Sequence, residues 1–98
     1  MRVLIVKGYL ISIADVDRQE IETLLGCAKG CAVTTELRDG AVMYTDREAP
    51  NRRDSPHNAF ASLVSGGQVY GPAIITGMDG TDIPESYIPM LEWNDMPI

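Results

Sequence analysis

Few of the groups that metal binding, acid–base chemistry and membrane insertion depend on occur in this chain. It has one histidine and two cysteines in 98 residues. Zinc sites use four ligands, so the C-x3-C pair Cys27 and Cys31 would have to recruit His57 and a carboxylate. The thiols are read instead as small packed hydrophobes, free in a reducing compartment, and no metal or cofactor is expected. No apolar run approaches the ~18–20 residues that span a bilayer. Met1-Arg2 followed by VLIV is too short for a secretory signal, so a cytoplasmic chain with no membrane partner is expected. Residues 57–76 contain no Asp, Glu, Lys or Arg, and residues 77–98 carry five acids and no base. With a net charge of −6, the surface should repel phosphate backbones, which disfavours direct nucleic-acid binding. A basic protein partner, or mimicry of nucleic acid, is allowed. The stretch GPAIITG lacks the Gly-Lys-Ser/Thr ending of a phosphate loop. There is no internal repeat, low-complexity tract or linker.

What is present is an ordinary globular composition, 45% hydrophobic and 22% charged, enough for one modest core. A single domain over residues 1–98 is expected, with residues 83–98 a candidate docking or covering segment. Residues 2–7 (RVLIVK) form an apolar, β-branched run and read as a buried strand. After Gly8, residues 9–13 (YLISI) read as a second strand, hairpinned with the first or continuing it through a kink. Asp17 and Glu20 have the spacing of a capping box, with Val16 and Ile21 as a staple. Ile21, Leu24, Leu25 and Ala28 form one stripe, Lys29 suits a last turn, and Gly30 suits a C-terminal left-handed position. The spacing predicts a helix over about 18–29.

Residues 31–38 alternate with period two, Asp39-Gly40 has the chemistry of a tight hairpin turn, and residues 41–45 return as its partner strand. Residues 46–54 lack periodicity and read as a loop. Ser55-Pro56 reads as a cap and first helical position, and Ala59, Phe60, Leu63 and Val64 as the buried stripe of a second helix ended by Gly66-Gly67. Residues 68–76 read as a strand buried on both faces, with Gly71-Pro72 calling for a bulge or an edge position at its start. Residues 78–81 (MDGT) read as a turn. Pro84 and Pro89 restrict the last segment to a broken helix, with Tyr87, Ile88, Leu91 and Trp93 docking on the core. The order β-β-α-β-β-α-β implies an α+β fold with a mostly antiparallel sheet of about five strands and two covering helices.

Three places carry the chemistry worth weighing. Arg52 and Arg53 precede the second helix, where bidentate donors and free helical amides suit an anion; with Asn58 they form a candidate small-anion or nucleotide site. The bland alternative is a solvated loop whose arginines pair weakly with neighbouring acids. Asp54, Ser55 and His57 hold the residue types of a hydrolytic triad, but consecutive first-turn side chains point apart and no nucleophile elbow is present. No catalytic residue is assigned and the chain is not expected to be an enzyme. Glu85, Tyr87, Glu92 and Trp93 mix acids with aromatic anchors, a composition suited to capturing a partner protein. Homodimerisation is an alternative use of an unprotected sheet edge.

The 21 residues 57–77, HNAFASLVSGGQVYGPAIITG, resemble the core signature of the domain of unknown function 3846 family, small proteins of bacteriophages, plasmids and some bacteria. Asn58, Ala61, Leu63, Gly66-Gly67, Gly71-Pro72 and Gly77 fill the places of that signature. The N-terminal strand and the Asp39-Gly40 hairpin fit more loosely. The resemblance implies a phage or mobile-element accessory protein in the host cytoplasm and carries no activity with it. Non-enzymatic binding of a host protein is therefore the expectation. A small-anion module, and a nucleic-acid mimic that inhibits a DNA-binding enzyme, are the alternatives.

Overall fold

The computed structural model describes residues 1–7, 10–26, 30–49 and 56–89. Five strands form one sheet: β1 (Arg2–Lys7), β2 (Leu10–Asp15), β3 (Ala32–Glu36), β4 (Ala41–Asp46) and β5 (Ala73–Gly77). Their order is β2-β1-β5-β4-β3, and all four pairings are antiparallel. Two local hairpins thus flank a central strand that arrives last in the chain. Two helices, α1 (Ile21–Leu25) and α2 (Ala59–Ser65), complete the α+β fold. Among the described residues no helix is long and apolar enough to cross a membrane.

Alternation along β1 divides the core in two. Val3 and Ile5 join Val16, Ile21, Leu25 and Ile74 on the α1 face. Leu4 and Val6 join Ile11, Met43, Ala61 and Ile75 on the α2 face. Residues 73–76 of β5 have no exposed surface at all, as an uncharged AIIT run flanked by two paired strands requires. Each buried aliphatic side chain contributes about 1.5–3 kcal/mol. Val3, Leu4, Val6, Ile74 and Ile75 are all fully buried, so the β1–β5 pair is the part of the sheet the fold can least lose.

Both Asp-Gly turns take the same form. Asp39 and Gly40 lie at φ 60° and 75°, and Asp79 and Gly80 at 55° and 77°; two successive positive φ values define the hairpin-compatible I′ turn. The turns sit at one end of the sheet, because Ala41 is opposite Gly77. Gly77 admits no side chain there: a Cβ would meet the Asp82 carbonyl and the Thr81 hydroxyl at 2.2 Å.

Several boundaries move. The second strand is residues 10–15 rather than 9–13, and its hairpin with β1 is formed. The helix expected over 18–29 is a 3-10 turn at Arg18–Glu20 followed by α1, which stops at a left-handed Gly26 rather than at Gly30. Glu20 supplies its half of the capping box, accepting from the Asp17 amide at 3.2 Å. The second helix starts not at Ser55-Pro56 but three residues later, with Asn58 as its cap. Pro56 and His57 instead run beside Tyr70 and Gly71 as a short antiparallel bridge. That bridge takes the place of the start of the expected 68–76 strand; regular pairing begins only after Pro72.

Candidate functional site

Asn58 is where the uncharged middle of the chain is fastened. It has no exposed surface. Its Oδ1 accepts from the Ala61 amide at 3.1 Å, capping α2. Its Nδ2 donates to the Val6 and Gly71 carbonyls, both at 2.9 Å. One side chain thus joins helix, central sheet and the turn before β5. Asparagine alone combines a cap acceptor with two donors at this length.

The face of α2 turned to the sheet follows from that anchor. Asn58, Ala61, Ser62 and Ser65 fall at i, i+3, i+4 and i+7, a stripe of small residues. Ala61 is fully buried, Ser62 and Ser65 partly so. The stripe expected from hydrophobicity, Ala59, Phe60, Leu63 and Val64, is not the buried one. Phe60 and Val64 flank the core, Ala59 is exposed, and Leu63 is 70% exposed. Ser62 closes the return to the sheet: its Oγ accepts from the Val69 amide at 2.9 Å and lies 3.1 Å from His57 Nε2. The His57 ring packs edge-on to Tyr70, centroids 5.5 Å apart. His57 therefore pairs with a serine one helical turn into α2, and that serine's oxygen is already engaged by a backbone amide.

Residues 82–89 cross the turn end of the sheet. Asp82 Oδ1 accepts from the Arg2 amide at 2.8 Å, and the Ile83 amide donates to the Arg2 carbonyl at 2.8 Å. Ile83 and Tyr87 enter the α2-side core, and the Tyr87 hydroxyl donates to the Arg38 carbonyl at 2.7 Å. Burial, and secondarily the negative charge of Asp39, push the Tyr87 phenol above its ordinary value. Burying a charged phenolate would forfeit its hydration.

α2 covers the middle of the sheet and leaves Thr35 of β3 exposed on the same side. The result is an open groove of about 660 Å³ between the Leu63–Gly66 end of α2, the Glu36–Asp39 turn region, and Ser86 and Tyr87. A smaller hollow of about 200 Å³ continues it along β4, past Thr35, Thr45 and Asp46. Asp46 is 3% exposed, and its Oδ1 accepts from the Glu48 amide at 2.9 Å.

The expected sites fare differently. Asn58 is committed to the scaffold: its amide is buried, with donors and acceptor engaged, so it cannot also hold an anion. Arg52 and Arg53 lie outside the described residues. Tyr87 is 8% exposed, an anchor for its segment rather than a surface group, because its ring fills the core and its hydroxyl has a backbone partner. Glu85 is exposed; Glu92 and Trp93 lie outside the described residues, as does Cys27. Cys31 is a free, half-buried thiol. Among the described residues no group of three His, Cys, Asp or Glu side chains is placed to hold a metal. Sequence reasoning missed the groove and the exposure of Leu63. The signal was available in the small-residue spacing from Asn58 to Ser65, which turns Leu63 outward.

The chain matches no family model, no curated protein and no solved structure.

Proposed function

We propose that this is an accessory protein of the phage or mobile-element kind that acts by binding a host protein, without catalysis of its own. The observation that carries the binding reading is Leu63. It is a large apolar side chain 70% exposed at the rim of an open groove built from three separate parts of the chain. A leucine held out beside a concave, partly apolar surface suits a docking anchor. Glu85 and Ser86 are both exposed on the segment that Tyr87 anchors and add polar groups to that surface. The origin rests on the resemblance over residues 57–77. Within the fold, Asn58, Ala61, Gly66, Gly71 and Gly77 of that signature serve the scaffold, so the resemblance speaks to architecture and leaves the partner to the surface around it.

The test is photocrosslinking from position 64 in bacterial lysate, with Leu63→Lys as the matched variant. Crosslinked partners that disappear with Leu63→Lys support the reading; adducts indifferent to it overturn the site.

A further inference from the structure

We propose that the groove beside β3 binds a basic, extended peptide segment of a partner, which adds to the sheet as a sixth strand. This rests on the binding reading above and names its partner's chemistry. Among the described residues β3 pairs with β4 alone and forms one edge of the sheet. An edge strand presents a row of backbone donors and acceptors, which proteins usually blunt with proline, lysine, a bulge or a covering element. The edge sequence AVTTE has no proline and no lysine, its register with β4 runs unbroken from Ala32 to Glu36, and Thr34, Thr35 and Glu36 are exposed. Among the described residues its first residue is the one tied elsewhere: the Ala32 amide donates to Glu22 Oε2 at 3.4 Å.

The groove supplies what an edge alone does not, a wall for side chains. The Leu63–Tyr70 stretch follows the direction of β3 and β4, from the Leu37 end of the groove to the Thr45 end. A strand added at β3 would project alternate side chains to that side, over Leu37 and toward Leu63 and Val64. Strand addition of this kind takes its affinity from main-chain hydrogen bonds and its selectivity from the alternate pockets.

Charge selects the occupant. Among the described residues that line the rim, Glu36 and Asp39 stand against Arg38, and the whole chain carries −6. Two copies pairing edge to edge would bring together surfaces of the same sign, whereas lysine or arginine at the outward positions of a peptide would be attracted. The occupant is therefore a segment alternating apolar or β-branched residues with bases.

A display library of random nine-residue linear peptides is selected on the immobilised full chain. Enrichment of alternating Val/Ile/Thr with Lys/Arg is expected. The enriched peptide should lose at least tenfold in affinity on Leu63→Lys and on N-methylation of its alternate amides, and should slow hydrogen exchange at Thr34 and Glu36, whose amides point away from β4. Enrichment of acidic or helix-periodic peptides, equal binding of the N-methylated form, protection at β2 instead, or a dimer in sedimentation with no peptide selected would each overturn it. If Leu63-dependent crosslinking persists while N-methylation has no effect, strand addition fails and the binding reading stands. If both are lost, both fail.

Discussion

α1 and α2 are both short, and both end on a left-handed glycine, Gly26 and Gly66, but different forces hold them to the sheet. α1 is held by oil: Ile21 and Leu25 are buried against Val3 and Ile74, and its start is shaped by the exposed carboxylate of Glu20. α2 is held by a buried amide and a methyl group, Asn58 and Ala61, with Phe60 and Val64 at the margins. A helix fastened by hydrophobic burial turns its large residues inward. A helix fastened by hydrogen bonds at its cap can approach on a small face and leave a leucine outside. That difference is why the groove lies on the α2 side.

The contrast can be broken at Asn58 first. Asn58→Ala leaves the Val6 and Gly71 carbonyls buried without donors, at about 1–3 kcal/mol each, and removes a cap worth about 1 kcal/mol. A loss of roughly 3–7 kcal/mol is expected, read as a lower urea midpoint at unchanged slope. Asn58→Asp sharpens the point, since it keeps the cap acceptor and loses both donors. Its loss should be that of the two carbonyl bonds, since the cap is retained; unchanged stability would show that those bonds contribute nothing. On α1 the matching truncation, Leu25→Ala, should cost about 2–4 kcal/mol through lost burial and the cavity left behind.

Tyr87→Phe is the intermediate case. It removes one hydrogen bond, a loss of about 1 kcal/mol, and tests whether residues 82–89 are anchored or merely laid down. It also carries a pH signature. The phenol is raised above its ordinary value of 10.0 in the fold, so the native state retains this proton where the unfolded chain has released it. The stabilisation is complete below about pH 10 and is lost as pH rises through the folded value. Tyr87→Phe should flatten that alkaline decline in a Tm–pH series; an unchanged decline would place its cause elsewhere. The smallest effect belongs to Leu63→Ala. A side chain 70% exposed should change stability by no more than about 0.5 kcal/mol, and a loss of core size would mean that Leu63 is a packing residue and the groove is not open.

Legibility in the sequence followed the range of the interactions. The run RVLIVK, the turn at Asp39-Gly40 and the uncharged AIIT segment each announce a local preference strong enough to survive folding, and each is found where expected. Asn58 reads in the sequence as part of an anion site near a helix start and as a place in the signature, not as a fastening. Its role depends on carbonyls 52 and 13 residues away in sequence, and no periodicity reports such partners. Tyr87 reads both as docking on the core and as a partner anchor, because Tyr serves in cores as well as at interfaces; the structure gives it the first role, and the carbonyl it reaches is 49 residues away. The shortening of the first helix followed from Gly26, where a left-handed residue ended it before the alternative at Gly30 could act.

By its sequence alone this protein was committed to an apolar first strand, the Asp39-Gly40 hairpin, a capped first helix and a strand buried on both faces, because hydrophobic period and turn chemistry act over a few residues. The strand order, with β5 between β1 and β4, came only from tertiary structure. So did the use of Asn58 as the fastening of α2 and the groove that its small buried face leaves behind. Those outcomes depend on which surfaces meet across the whole chain, and pairing energy between distant segments has no local signature.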